Sequence, residues 1–185
     1  MQKMERRSFL GAAIAALPLA VMGQSMKTST PARAVRVARG DDRLGEHHTI
    51  GVSSTDFKVL TQDSGGGVFI MEHASRKKGG PPRHLHHNED EWFYVIEGEY
   101  IAEIGSDRFQ LKSGDSILAP REVPHVWAFV GDTPGRMLIT FAPANKMEAF
   151  FRDNAKRRKD GEYVNDAQVY RAYGLELIGP PLSLG

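Results

Sequence analysis

From about residue 57 the chain alternates apolar and polar positions in short runs rich in Val, Ile, Phe, Tyr and Trp, broken by Gly, Pro, Asp and Ser clusters. A period of two residues marks strands with one buried face. Nine strands are expected, at 57–62, 67–73, 83–87, 91–97, 99–104, 107–111, 115–119, 125–130 and 135–142. Glu97-Gly98 and Gly105-Ser106 stand where tight hairpins need a residue free to take positive φ. So many short strands imply an all-β, antiparallel sandwich or barrel. After Pro143 the period lengthens. Asn145 followed by Glu148 has the form of a capping box, and Met147, Phe150 and Phe151 share one helical face. A second short helix is expected after Asp166, with Val169, Tyr170 and Tyr173 apolar and Gly174 as its stop.

The first 34 residues read as an address. Arg6 and Arg7 precede an apolar stretch of 15 residues, Phe9 to Gly23, too short for an ordinary membrane span and interrupted by Pro18. Glu5-Arg6-Arg7-Ser8-Phe9-Leu10 resembles the bacterial twin-arginine export signal, with Glu5 and Gly11 departing from its usual residues. Cleavage fits either after Ala32-Arg33-Ala34 or near Val21-Met22-Gly23. The expected organisation is therefore a signal and processing region over 1–34, an N-terminal extension over 35–56, a barrel over 57–142 and a C-terminal helical extension over 143–185. The expected location is the periplasm or the medium, reached through the twin-arginine machinery, with no stable membrane anchor.

Charge narrows the partners. The 185-residue chain carries 24 Lys and Arg against 23 Asp and Glu, and loss of the first 34 residues removes five and one of these, leaving 19 against 22. Nucleic acid is excluded as an expected partner, since it calls for a strongly basic face. There is no cysteine, so disulfides, thiolate metal sites and a cysteine nucleophile are ruled out, and any metal must rest on His and carboxylates. The basic run Lys156 to Lys159 suits a solvated helix end, and Gly65-Gly66-Gly67 lacks the Lys-Ser/Thr of a phosphate loop.

Chemistry concentrates in Pro81-Pro82-Arg83-His84-Leu85-His86-His87-Asn88-Glu89-Asp90-Glu91. In an extended segment His84 and His86 share a face, roughly 7 Å apart at Cα, while Arg83 and His87 face the other way. A turn over His87 to Asp90, which Asn and Asp favour, returns Glu91 to the same interior, with Phe93 and Val95 after it. Glu89 and Asp90 are left to solvent or to contacts behind the ligands. Further on, Gly114, Pro120 and Pro124 lead to His125, and Trp127 and Phe129 share its face. His47, His48 and His73 lack such support and read as ordinary surface or strand residues.

These two stretches resemble the paired motifs of the cupin superfamily. His84, His86, Glu91 and Gly98 match the first motif, and Gly114, Pro120 and His125 the second. Glu122 stands at the second motif's inner glycine and Phe129 at its asparagine, but neither removes a ligand. The ending Tyr173 to Pro181 is similar to that of small single-domain cupins likened to quercetin 2,3-dioxygenases. The resemblance implies a jelly-roll barrel holding one divalent transition metal ion on His84, His86, Glu91 and His125. Such a donor set suits Fe, Mn, Ni, Co or Cu, and zinc also fits. Phe93, Trp127 and Phe129 would form an apolar substrate pocket.

Two functional classes follow. One is an exported metal-dependent dioxygenase acting with O₂ on a flavonol-like or other phenolic or enolic substrate, with Glu91 as the catalytic base. The other is a non-oxidative cupin, either an isomerase or a protein that binds metal or ligand without turnover. A sugar-nucleotide isomerase would place several cations inside the barrel. By parity Arg83 points away from the metal, and this favours an uncharged aromatic ligand. A second copy of the chain is a candidate partner.

Overall fold

The computed structural model describes residues 34–50, 53–157 and 166–184. The expected export signal, including Arg6 and Arg7, and the end of the basic run lie outside the described residues. Two antiparallel sheets face each other. The larger contains β1 (His48–Ile50), β2 (Ser53–Val59), β3 (Phe69–Ser75), β5 (Asp90–Glu97), β8 (Ser116–Ala119) and β10 (Gly135–Ala142), in the order β1-β2-β3-β10-β5-β8. The smaller contains β4 (Pro82–His86), β6 (Glu99–Ile104), β7 (Asp107–Lys112), β9 (His125–Phe129) and β11 (Leu175–Pro181), in the order β11-β4-β9-β6-β7. The fold is the expected all-β jelly roll, with two short helices among the described residues, α1 (Met147–Lys156) and α2 (Ala167–Ala172).

Alternation explains the sandwich. Along β10 Met137, Ile139 and Phe141 are buried while Arg136, Leu138 and Thr140 are less so, and β10 pairs in register with β3 on one side and β5 on the other. Phe57, Phe69, Met71 and Val95 complete that inner face. Burying one such side chain contributes about 1.5–3 kcal/mol, so a one-residue slip of β10 would expose three of them together.

The sheets run past the expected 57–142 span at both ends. β1 and the first half of β2 lie before it, and β11 lies after it, in the stretch assigned from sequence to a helical extension. β11 pairs with β4 through Leu175↔His86 and Leu177↔His84. Pro180 and Pro181 close it, which an edge strand tolerates because one row of its amides needs no ladder partner. The strand expected over 57–62 stops at Val59, because Asp63 accepts from the Leu60 amide at 3.0 Å and turns the chain into a single 3-10 turn over Thr61–Ser64.

Both helices form, but the first is not capped as expected. Asn145 takes φ +41° and gives its side-chain amide to Asn88 O and Glu89 Oε2, while Glu148 accepts from the Thr61 amide at 2.8 Å. Both halves of the anticipated capping box are thus spent on tertiary contacts. Asp166 caps α2 through the Gln168 amide at 2.8 Å, and Gly174 stands beyond its end at φ +86°.

Candidate metal centre

Three ligands come from the smaller sheet and one from the larger. β4 carries His84 and His86 on its inner face, and β9 opposes it so that His84 and His125 are direct register partners. Glu91 comes from β5, where it pairs with Phe141 and Ala119. Ligand atoms of His84, His86, Glu91 and His125 all lie within 4.8 Å of one another, and all four residues are buried. The reversal between β4 and β5 takes three residues, His87 to Glu89, with the His87 amide bonded to Gly174 O at 2.9 Å.

Each ring is held from behind. Nδ1 of His84 meets Pro82 O at 2.8 Å, Nδ1 of His125 meets Val123 O at 3.1 Å, and Nδ1 of His86 meets Glu89 Oε1 at 2.7 Å. Carbonyl and carboxylate oxygens only accept, so each Nδ1 carries a proton and each Nε2 presents a lone pair to the centre. Those three Nε2 atoms stand 3.9 Å (His84), 3.2 Å (His86) and 2.9 Å (His125) from Glu91 Oε2. His86 Nε2 is buried with no well-formed hydrogen bond. Converging lone pairs beside a carboxylate repel unless a cation or an added proton sits among them, and no Lys or Arg among the described residues pairs with Glu91. The donor set therefore fits one divalent ion, and the cluster is compatible with a single metal.

The electrostatics agree. Burial lowers His84 to about 3, aided by the neighbouring imidazoles of His125 and His86. Burial pushes His86 down as well, but the carboxylates of Glu89 and Glu91 beside it outweigh this and raise it to about 9. Burial pushes Glu91 up, yet His125 and His86 hold it well below the usual carboxylate range. The centre keeps its carboxylate ionised and calls for positive charge at His86.

The loop before His125 departs from the motif in residue type and keeps its shape. Glu122, at the inner glycine position, adopts φ +64°. Its amide donates to His86 O at 2.7 Å and its carboxylate meets His87 Nδ1 at 3.1 Å, contacts that offset the cost of a left-handed non-glycine residue. His87 is exposed and turned from the centre. Arg83 pairs outward with Glu103, and Arg121 clamps Asp90, lowering that carboxyl to about 2. Of the two acids left without a role, Glu89 is fully buried behind His86.

A cavity of about 320 Å³ opens onto the centre and includes His84, His86 and Glu91 in its wall. Its other surface is largely apolar, from Met71, Ile139, Phe141, Met147, Phe150 and Tyr170. Of the three aromatics expected to line a pocket, only Trp127 does so. Phe93 packs edge-on against His125 and Trp127, each 6.4 Å away between ring centres, and Phe129 packs against Tyr100 at 5.4 Å. Their inward parity was right, but both belong to the packed interior. The pocket aromatics that the sequence reading missed, Phe141, Phe150 and Tyr170, follow β5 by a long stretch of chain, and no local motif ties them to the ligands. His73, passed over as a strand residue, also lines the cavity. Lys78 is the cation among the described lining residues; it is half exposed and pairs with Asp132 at 2.8 Å.

Fold and centre together give an all-β jelly roll around a buried cluster of three histidines and one glutamate. Residues 73–141 match the family model for the cupin domain (Cupin_2), and this match and the fold support placing the chain in the cupin superfamily. The chain is 30% identical over 60 residues to the uncharacterized protein MJ1618 of Methanocaldococcus jannaschii, covering 32% of this chain and 48% of that one. It is 28% identical over 77 residues to the polyketide synthase CurC of Streptomyces cyaneus, covering 42% and 47%. The chain thus spans about half the length of the curated relatives it matches. Among solved structures, the polyketide cyclase RemF of Streptomyces resistomycificus superposes with a TM-score of 0.50 at 21% identity, over 60% of this chain and 80% of that one. Proteins to which this chain is similar therefore include ones named as enzymes.

Proposed function

We propose that this chain is a metal-dependent enzyme that takes a phenolic or enolic aromatic substrate into the cavity, and that its reaction is dioxygenation of the quercetin 2,3-dioxygenase type. The observation that carries this reading is the join between a largely apolar cavity and a buried set of three histidine Nε2 atoms with one carboxylate. A divalent transition metal held by His84, His86, Glu91 and His125 would supply Lewis acidity and, for a redox-active ion, a route for electrons to O₂. The protein's own part is distinct. The walls at Met71, Phe141 and Phe150 orient a flat ring and keep water away. Glu91, ionised and in reach of the centre, is placed to take the proton of a substrate hydroxyl on a carboxylate oxygen. Among the described residues Lys78 is the one Lys or Arg of a wall that is mostly apolar away from the metal centre, and this matches an aromatic ligand better than a phosphorylated one.

Metal analysis followed by O₂ uptake against a flavonol and phenol panel tests the proposal. Glu91→Gln keeps the size and removes the base, so turnover should fall by roughly 10²-fold or more while metal content falls less. An undiminished rate in the metal-loaded variant would remove Glu91 as base.

The similarity to proteins named polyketide synthase and polyketide cyclase favours a second reading, non-oxidative ring closure or isomerisation of an enolic substrate. Product formation under strict anaerobiosis, with no O₂ consumed in air, would select it. We also propose that the chain is exported through a twin-arginine route to the periplasm or beyond. Arg6→Lys with Arg7→Lys should retain it in the cytoplasm by fractionation, and normal export of that double variant would argue for the ordinary secretory path.

A further inference from the structure

His73 is a buried polar group of the cavity wall that the metal centre does not use. It lies on the inner face of β3 with Phe69 and Met71, is 7% exposed, and stands edge-on to Trp127 with ring centres 5.0 Å apart. Its Nδ1 meets Ser75 Oγ at 3.2 Å, and among the described residues its Nε2 has no hydrogen-bond partner. The other polar wall groups are committed or peripheral. His84, His86 and Glu91 form the centre, Lys78 pairs with Asp132, Tyr170 has its own interaction, and Ser53 is only half buried.

The Ser75 hydroxyl can serve as the donor in this bond. Behind it the buried phenol of Tyr100 lies near Ser75 and makes no well-formed hydrogen bond of its own. Burial raises that phenol to about 12, so it keeps its proton near neutral pH. With Ser75 donating to His73 Nδ1, the ring's own proton sits on Nε2 of a side chain that lines the cavity. Burial lowers the imidazole to about 4, so near neutral pH it is an uncharged donor. A neutral N–H in an apolar wall matches a carbonyl, phenolic or enolate oxygen and offers nothing to a cation.

We propose that His73 anchors the cavity ligand, its Nε2–H donating to a second oxygen of an aromatic molecule whose first oxygen faces Glu91 and the three ligand histidines. This rests on the reading of the cavity as a phenolic or enolic site, and it narrows the substrate class to flat rings oxygenated at two separated positions. Ser75 is the positioning residue, since it sets which nitrogen carries the proton.

The test is calorimetric binding to the zinc-loaded full chain, using a naphthol and a set of isomeric naphthalenediols, with the His73→Gln and His73→Leu variants and their metal content measured in parallel. At least one diol should bind wild type tighter than the naphthol by about 3- to 10-fold, the value of one neutral hydrogen bond. His73→Leu should abolish that advantage with naphthol affinity and zinc content unchanged, and His73→Gln, which retains a donor, should restore part of it. In ¹⁵N histidine spectra His73 should appear as the Nε2–H tautomer and shift with the diol alone. If the diols keep their advantage in His73→Leu, or show none in wild type while the naphthol binds, the anchor is overturned and the phenolic cavity stands. If no aromatic probe binds the zinc-loaded protein, the phenolic reading itself fails, and the anchor with it.

Discussion

Two aromatic regions of this barrel have similar composition and opposite outcomes. Around Phe129 the interior is closed: Tyr100 packs against its ring, and Cβ atoms built on Gly131 and Gly135 would approach it to 2.9 and 2.6 Å. Around Phe141, Phe150 and Tyr170 rings also meet edge-on, at 5.2 Å for Phe150 and Tyr170, yet a cavity of about 320 Å³ remains. The difference lies in what brings the rings together. At Phe129 the walls are neighbouring strands, whose backbones come within about 5 Å and closer still where a glycine removes the side chain. At Phe150 and Tyr170 the walls are helices, which keep their axes about 8–10 Å from what they pack on. Glu148 and Tyr173 tie these helices by bonds to Thr61 and Asp153. Aromatic content alone does not distinguish a core from a pocket; the element presenting the ring does.

The largest expected effect is at the open region. His86→Ala and His125→Ala each remove one of four ligands and should lose stoichiometric metal on gel filtration, read by elemental analysis. His87→Ala should keep it, because His87 faces Glu122 on the surface. Equal loss in His86→Ala and His87→Ala would undo the facing assigned to β4.

Next in size is the support behind the centre. Glu89 is the carboxylate that holds Nδ1 of His86, and Asn145 holds Glu89 in turn. Glu89→Gln keeps an acceptor and removes the charge, so metal affinity by competition with a chromophoric chelator should fall about 10- to 100-fold. Unchanged affinity would mean that His86 is oriented by its strand alone.

The closed region should answer in stability and stay silent in metal binding. Gly135→Ala puts a methyl against Phe129 and the Tyr100 hydroxyl, each at 2.6 Å, and overpacking of this kind costs about 1–3 kcal/mol. Thermal melting should drop by about 2–4 °C for each kcal/mol, with metal content unchanged. A loss of metal in this variant would show that the two regions are coupled.

The same contrast explains what was legible in the sequence. The ligands were readable because strand parity is strict: two residues apart means one face, and one turn sufficed to bring Glu91 round to His84 and His86. The inward facing of Phe93 and Phe129 was readable for the same reason. Which inward residues meet empty space was not, since it depends on α1 and α2 and on pairings across many residues, such as Glu148 with Thr61. β11 escaped because Leu175, Leu177 and two prolines carry little strand signal without β4 beside them. The capping box failed because a local pattern at Asn145 and Glu148 was outbid by tertiary partners.

His73 belongs to both regions, facing the cavity while its Ser75 contact reaches toward Tyr100 and the closed packing, and the smallest expected effect lies there. Its pKa is lowered by burial to about 4 from an ordinary 6.5. Above pH 6.5 the imidazole is neutral in folded and unfolded chains and contributes no pH dependence. As pH falls through 6.5 the unfolded chain takes up the proton and the folded chain does not, so stability is lost progressively until the folded group protonates near 4. Between pH 6.5 and 5.5 this amounts to about 1 kcal/mol. Chemical denaturation of the metal-free protein at those two pH values, compared with His73→Gln, isolates the contribution, because the other histidines titrate alike in both proteins. Wild type should lose about 1 kcal/mol more than the variant on acidification. Equal losses would mean that water reaches the His73 ring in solution, and the line between the packed core and the open cavity would then have to be drawn behind it.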